Sequence, residues 1–296
     1  MSVKKVVITK GMYLDKDLRL LVSFDENDKP VDLINLDVTK VGTVCEATVE
    51  KVLTDIEACI LKLSTGDKGF IENKRLKPDG FIVKHSDKKL VCQGDKFYVQ
   101  ISQDRKGVKP YSCCFINEIT DCIMNYTFIQ YYIENYVCDD CEIITDLSKV
   151  MNSDLDARYY NASDISLWSL YGLTGILDRT LSKIVHLKSG ANIVIEPTEA
   201  LTVIDVNSGK NYGKSSALDT NREALTEIEK QVRLRSISGI IIIDLLKVSK
   251  QEENELVKFA KNIFLDDVSR VQIYGFSNLG LLEVTRSRIY APFTIY

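Results

Sequence analysis

The sequence predicts an α/β protein, α+β overall, that combines a small β-barrel with a parallel or mixed sheet covered by helices. Residues 39–116 hold about five short strand-like runs with turn signals between them and no convincing helix, which is typical of a barrel. From residue 191 onward, apolar runs of strand length alternate with amphipathic helices. That alternation favours strands of one sheet connected through helices.

Two hydrophobic periodicities, one typical of strands and one of a helix, predict the first and last elements of the N-terminal half. Residues 1–37 alternate apolar and polar positions and predict two or three strands, with a turn in DENDKP, residues 25–30. The segment 117–137 predicts a helix, because apolar and aromatic side chains recur near helical spacing at Ile119, Ile123, Tyr126, Ile133 and Tyr136. We interpret this stripe as core packing, and a stacking platform for bases is the alternative. Residues 139–190 predict short strands and helices in alternation.

The C-terminal half predicts the order β-α-β-α-β. Residues 191–206 contain two apolar strands separated at Pro197. The elements predicted after them are a helix at 220–235 opened by a capping box of Thr220 and Glu223, a fully buried strand at 240–246, a helix opened by a capping box of Ser249 and Glu252, a strand at 270–276 and a short helix at 279–289.

The composition narrows the class of protein. The chain has 296 residues, of which 45% are hydrophobic and 27% charged, and this suits one or two domains with a substantial core. Since the net charge is −4, any contact with nucleic acid must come from a local basic patch. No apolar run is long enough for a membrane helix, and the N-terminus is too quickly polar for a signal peptide. We therefore expect a cytoplasmic protein whose eight cysteines are reduced.

Cys138 and Cys141, in CDDC, have the spacing of a metal-binding or redox pair. A zinc site would need two more ligands, but no second pair of cysteines is separated by two residues and the histidines are His85 and His186. We interpret the pair as two incidental thiols near a helix end.

Two aspartates end apolar runs, Asp205 after LTVI and Asp244 after IIII. The single helix predicted between them makes a crossover, so their strands can be neighbours with both carboxylates at the edge where ligands bind. Two carboxylates there repel each other unless a cation lies between them, and Mg²⁺ favours such a site. Asn207 can point to the same side and hold a phosphate oxygen or a metal-bound water. An aspartate that only caps a turn is the alternative.

The stretch VIDVNSGKNYGKSS, residues 203–216, also resembles a phosphate-binding P-loop. The P-loop pattern needs four residues between its first Gly and the Gly-Lys-Ser, and only three separate Gly209 from Gly213. The surrounding residues 205–250 contain eight Lys or Arg against six Asp or Glu, a net charge of +2. We expect Lys210 and Lys214 to lie nearest to a phosphate-bearing substrate.

Three motifs carry a resemblance to a known family. PTEALTVIDVNSGK, DTNREALTEIEKQVRLRSISGIIIIDLL and VQIYGFSNLGLLEVTRSR are similar to the catalytic region of the ribonuclease E/G family, over about residues 195–290. The resemblance implies an endoribonuclease in which Asp205 and Asp244 bind the metal and Asn207 is an active-site residue. It also implies attack by a metal-activated water that leaves a 5′-phosphate and a 3′-hydroxyl.

The same resemblance implies a fold and an RNA-binding role for the N-terminal half. It implies an OB-fold RNA-binding barrel at residues 39–116, inserted between the first strands of the catalytic domain, residues 1–38, and the mixed-sheet nuclease domain, residues 117–296. Phe70 matches an aromatic residue that stacks on RNA in the family, and Lys109 matches a basic contact. Barrel aromatics flanked by lysines are how such folds hold single strands.

The chain departs from the family pattern at several positions. The Arg-Thr motif that senses a 5′-monophosphate is not found, although Arg270 stands where the family has one further sensor arginine. Lys247 replaces the later acid of the family's Asp-x-x-Asp, and Ile60 replaces a stacking aromatic of the barrel. The cysteines that link protomers through zinc are also not found, so no zinc-linked tetramer is expected and a homodimer stays open.

The sequence therefore predicts a Mg²⁺-dependent endoribonuclease that acts on single-stranded RNA in RNA processing or turnover. Asp205, Asn207 and Asp244 would form its site, and the residues expected to hold the strand are Phe70, Lys109, Lys210, Lys214 and Arg270. The alternative is a non-catalytic RNA-binding protein that retains the nuclease fold.

Overall fold

The structure, a computed structural model, describes residues 3–86, 91–105, 107–117, 127–151, 155–162, 164–209 and 216–294. The chain forms two compact units. One, here called the sheet unit, comprises Met1–Asn35, Cys138–Arg288 and Pro292–Tyr296. The other, the barrel unit, comprises Leu36–Val137 and Ile289–Ala291. Residues 127–137, which the sequence analysis assigned to the nuclease domain, group with the barrel unit.

The barrel unit confirms the predicted small barrel. Its strands close in the order β4-β5-β6-β8-β7. They are β4 Val44–Leu53, β5 Ala58–Leu63, β6 Lys68–Glu72, β7 Lys96–Gln103 and β8 Tyr111–Ile116. Alternate residues such as Leu61, Ile71 and Phe97 are buried and fill the interior, as the two-residue period of a strand requires. Three single 3₁₀ turns lie at Thr54–Ile56, Asn73–Arg75 and Pro78–Gly80.

Within the described residues of the barrel unit, helix α1 spans Phe128–Tyr136. Thr127 opens it with a capping box that includes the Gln130 side chain. Of the predicted aromatic stripe, Ile133 and Tyr136 lie half-buried on this helix. The other three predicted members, Ile119, Ile123 and Tyr126, lie outside the described residues.

The sheet unit contains a first sheet with the strand order β10-β9-β1-β2-β3. Its strands are β1 Lys5–Tyr13, β2 Lys16–Phe24, β3 Pro30–Asn35, β9 Glu142–Thr145 and β10 Arg158–Tyr159. The short helices α2 Ser148–Met151, α3 Leu167–Leu170 and α4 Leu173–Leu181 accompany it. Of the two or three strands predicted at residues 1–37, three are present, and β9 pairs with β1 as its parallel neighbour.

The second sheet of this unit has the order β11-β12-β13-β14-β16-β15. Its strands are β11 Ile184–His186, β12 Asn192–Pro197, β13 Leu201–Asn207, β14 Gly239–Asp244, β15 Val271–Phe276 and β16 Leu282–Arg286. Helix α5, Ala217–Leu234, connects β13 to β14, and helix α6, Lys250–Ile263, connects β14 to β15. Because β13 and β14 are parallel and the other pairs antiparallel, the sheet is mixed, as predicted.

The two faces of the second sheet differ. Ile204 and Ile243 are fully buried in one core with Leu225 and Leu256, which α5 and α6 contribute. On the opposite face Ile240 is 48% exposed and Tyr274 is 58% exposed. We call this the open face. The prediction of a fully buried strand at 240–246 is therefore wrong, because only alternate residues of β14 meet the helices.

Two further predictions about elements are wrong. The segment 279–289 is not a helix: Gly280 has φ +81° in a turn, and β16 then pairs with β14 and β15. Helix α5 begins at Ala217, before Thr220, because the Ser216 hydroxyl accepts a hydrogen bond from the Asp219 backbone N–H at 3.0 Å. The capping box of Ser249 and Glu252 at the start of α6 is confirmed.

No helix in the described ranges combines the length and the apolar character that crossing a bilayer requires.

Candidate active site

Asp205 and Asp244 lie directly opposite each other in the parallel ladder of β13 and β14. Neighbouring strands are about 4.8 Å apart, and side chains of paired residues point to the same face. Since Ile204 and Ile243 point into the core, both carboxylates lie on the open face. Asp205 is half-buried and Asp244 is exposed. The prediction that a single helical crossover makes these two strands neighbours therefore agrees with the geometry.

Asn207 lies two residues after Asp205 on the same side of β13. Its Nδ2 donates a hydrogen bond to Asp205 Oδ2 at 2.8 Å. This bond fixes the direction of the Asp205 carboxylate, and the exposed amide keeps its own oxygen near the open face. The structure therefore brings together the three residues that the sequence analysis selected.

The donor set suits a hard cation. Carboxylate and amide oxygens are the ligands of Mg²⁺, which commonly takes one or two protein carboxylates and completes its shell with water and phosphate oxygens. No group of three or more His, Cys, Asp or Glu side chains with metal-binding geometry occurs in the part of the chain that the structure describes. The arrangement fits Mg²⁺ held by two carboxylates and does not resemble a closed structural metal site.

Just after β13 the backbone at Gly209 packs closely against the backbone at Gly190. Gly209 has φ +53°, and a Cβ atom at this position would lie 2.6 Å from the Gly190 carbonyl oxygen. Only glycine fits there without displacing backbone. The next residues, 210–215, lie outside the described residues, and they include the predicted substrate contacts Lys210 and Lys214 and the second half of the P-loop-like stretch.

Lys247 and Arg270 are both exposed. Lys247 lies three residues after Asp244, in the connection between β14 and α6. Arg270 immediately precedes β15, which is separated from β14 by β16. Together with Lys261 and Ser269 it lines a cavity of about 580 Å³ beside the end of α6. The structure therefore does not place Arg270 in the same strand pair as the aspartates.

Two side chains on the open face were missed by the sequence analysis. Glu283 of β16 pairs with Ile242 of β14, so it lies on the same face as Asp244 and diagonally from it. Tyr274 follows on β15, where the register shifts between Ile273 and Gly275. A two-residue alternation in LEVTR would have revealed the strand, but the segment was interpreted as a helix.

In the barrel unit, Phe70 is half-buried on β6. Its ladder partners are Ile60 on β5 and Ser112 on β8. The next outward-facing pair on these strands is Lys62 with Lys68, both exposed. An aromatic ring flanked by lysines on an outer barrel surface can stack on a base and attract a phosphate. Lys109 is exposed in the connection that leads into β8.

Cys138 and Cys141 lie in a tight turn that begins two residues after the end of α1 at Tyr136. The Cys141 N–H donates to the Cys138 carbonyl at 3.1 Å. Burial raises the pKa of the Cys141 thiol to about 11, so it is protonated at neutral pH, whereas metal ligation and nucleophilic attack need the thiolate. The interpretation of these residues as incidental thiols stays a prediction.

The chain is similar to known ribonucleases. A sequence model of the ribonuclease E/G family matches residues 95–289. The chain is 35% identical over 131 residues to ribonuclease E of Buchnera aphidicola subsp. Schizaphis graminum, an alignment that covers 43% of this chain and 14% of that protein. It is 40% identical over 129 residues to ribonuclease E of Synechocystis sp., covering 42% of this chain and 19% of the relative.

A third relative is ribonuclease G of Haemophilus influenzae, 35% identical over 127 residues, or 41% of this chain and 26% of the relative. Each of these alignments therefore spans well under half of the relative's own length.

Proposed function

Because the chain belongs to the ribonuclease E/G family, we propose that it is a cytoplasmic, Mg²⁺-dependent endoribonuclease that cleaves single-stranded RNA in RNA processing or turnover. The observation that supports this most strongly is the register of β13 and β14, which sets Asp205 opposite Asp244 on the open face. Two facing carboxylates need a cation, and a cation beside an exposed surface can meet a phosphodiester.

In this proposal Asp205 and Asp244 hold Mg²⁺, and Asn207 orients the Asp205 carboxylate and a phosphate oxygen or the attacking water. Mg²⁺ held there would polarise the phosphate as a Lewis acid. It would also lower the pKa of a bound water molecule, which makes hydroxide available at neutral pH. Hydrolysis by water leaves a 5′-phosphate and a 3′-hydroxyl. The exposure of Asp244 and Asn207 lets an extended strand reach the site without a rearrangement of the sheet.

In this proposal, each unit contributes residues that contact RNA. Phe70 stacks on a base, while Lys109, Lys210, Lys214 and Arg270 attract the phosphate backbone. Stacking and backbone contacts do not read base edges, so recognition should depend on single-strandedness with weak sequence preference. Binding should weaken as the salt concentration rises.

The alternative function is RNA binding without efficient cleavage. It is favoured by one observation: the exposed Lys247 stands close in sequence to Asp244, where the family resemblance implies an acid. A positive charge there would compete with a cation for the carboxylates. The pairing of Asp205 with Asp244 argues for the enzyme, because a site without a cation gains nothing from two facing carboxylates.

The test is cleavage of a 5′-labelled, single-stranded, AU-rich RNA by the purified full chain, with Mg²⁺ and with EDTA. The Asp205→Asn/Asp244→Asn variant and a fully paired hairpin of the same composition are the controls. We expect discrete fragments with 3′-hydroxyl ends from the single strand, with Mg²⁺ and wild-type protein only. Intact RNA that is nevertheless retained in a gel shift would favour the binding protein and overturn the nuclease proposal.

A further inference from the structure

We infer that Asn221 is a positioning residue that holds the end of β14, and with it the Asp244 carboxylate, in the arrangement that the proposed reaction needs. The inference rests on the proposed function. Asn221 lies in the first half of α5 and is fully buried. Its Nδ2 donates to the Leu246 carbonyl at 2.8 Å, and its Oδ1 accepts from the Leu246 N–H at 2.9 Å. Both ends of one side-chain amide therefore bind the backbone of one residue.

Leu246 lies just beyond the regular sheet. The ladder between β13 and β14 ends with the pair Asp205 and Asp244, and the ladder between β14 and β16 ends with Ile243 and Leu282. The Asn221 amide gives Leu246 one donor and one acceptor, as a neighbouring strand would. It thereby extends the fixed part of the chain two residues past Asp244.

The two aspartates differ in how their backbone is held. Asp205 lies inside β13 and is paired on both sides, with Val194 of β12 and with Asp244 of β14. Asp244 is the last residue of its strand and is exposed. A terminal strand residue changes direction when the backbone after it moves, so the two bonds to Leu246 determine where the Asp244 carboxylate points.

Asn221 can do this because its own position is rigid. On the following turns of α5, Ala224, Leu225 and Ile228 are fully buried in the core beneath the second sheet. An amide on a packed helix holds its partner more precisely than one on a loop, and such supporting groups influence metal affinity as well as activity. From the sequence alone, this part of the chain is recognisable only as the start of a helix.

The experiment compares Asn221→Ala with Gln231→Ala in the full-length protein. Gln231 is the matched control, because it is also a buried amide on α5 but bonds within its own helix, to Glu227 and Arg235. Mn²⁺ binding to the RNA-free protein is followed by electron paramagnetic resonance, and kcat and KM for a single-stranded RNA are measured in Mg²⁺. Urea unfolding of each variant reports its stability.

Asn221→Ala should bind Mn²⁺ about tenfold more weakly and lower kcat by about the same factor, with KM for RNA changed less than about twofold. Gln231→Ala should lose stability and keep the Mn²⁺ affinity of the wild type. If Asn221→Ala does not fold, Asn221→Ser replaces it, since its shorter hydroxyl cannot bridge both backbone atoms of Leu246.

The inference is overturned if the Asn221 variant keeps wild-type Mn²⁺ affinity and kcat while only its stability falls. It is also overturned if the wild type shows no Mn²⁺ binding that depends on Asp205 and Asp244. A wild type that binds Mn²⁺ through these aspartates but cleaves no RNA contradicts the proposed nuclease function instead. In that case the Mn²⁺ affinities alone decide about Asn221.

Discussion

Glu229 shows what burial does to a single carboxyl group. It lies on α5 with 5% of its surface exposed, and burial raises its pKa above the usual 4.5. The unfolded chain therefore loses the proton at a lower pH than the folded protein does. Stability is reduced as the pH rises from about 4.5, and the penalty reaches its full size above the folded-state pKa.

Glu229→Gln should therefore raise the free energy of unfolding at pH 7, and the gain should vanish below about pH 4, where the carboxyl is protonated in both states. Urea unfolding at a series of pH values measures this difference. Glu199→Gln, at an exposed position, is the control and should change stability by less than about 0.5 kcal/mol at any pH. A Glu229 variant that is less stable than the wild type at pH 7 would contradict the prediction.

The sequence revealed some residues of the candidate site and concealed others for a physical reason. Asp205 and Asp244 were recognisable because each ends an apolar run and a single predicted helix connects the two strands. Glu283 and Tyr274 could not be found in the same way, since their place on the open face depends on the register of β16 and on the irregularity of β15. Asn221 gave no signal, because its partner is backbone 25 residues away in the chain.

At the scale of elements, a buried ion pair joins the two sheets of the sheet unit. Arg233 near the end of α5 donates from Nε and Nη2 to the two carboxylate oxygens of Asp32 on β3, at 2.9 Å each. The side chains are 2% and 1% exposed, and the Ser23 hydroxyl donates to the same carboxylate at 2.9 Å. Helix α5 is thus fixed at one end to the first sheet and contacts the second along its length.

Asp32→Asn should lower the free energy of unfolding by about 3–5 kcal/mol, because it leaves the Arg233 charge buried without its counter-charge. Urea unfolding followed by circular dichroism measures the change. The matched control is Glu142→Gln, which breaks the exposed pair of Arg158 and Glu142 at 2.8 Å and should cost less than about 1 kcal/mol. Equal losses for the two variants would show that the Arg233–Asp32 pair does not join α5 to the first sheet as described.

The sequence predicted an element correctly where local signals determine its secondary structure. Helix α6 was recognised at its start because the capping box of Ser249 and Glu252 is a local signature. The segment at 279–289 was misassigned, because its apolar spacing suits a helix while its place between β14 and β15 makes it a strand. Non-local pairing overrode local preference there.

At the scale of the whole molecule, the RNA-binding surface proposed for the barrel unit can be tested separately from cleavage. Phe70→Ala should weaken binding of single-stranded RNA about tenfold, since stacking on one aromatic contributes about 1–3 kcal/mol. Fluorescence anisotropy in the Asp205→Asn background measures binding without cleavage. Tyr98→Ala is the control, because this half-buried aromatic lies on β7, across β8 from β6. Equal affinities for the Phe70 and Tyr98 variants would remove Phe70 from the binding surface.

Asp205 and Asp244 are proposed to hold one cation and to act as a unit. The most direct measurement is the single-turnover cleavage rate of the wild type, Asp205→Asn, Asp244→Asn and the double variant, with Glu283→Gln as a control on the same face. Each single variant should lose at least about 10³-fold, and the double variant should lose little more, because removing either ligand already empties the site. Losses that multiply in the double variant, or cleavage that survives it, would contradict a cation site shared by the two aspartates.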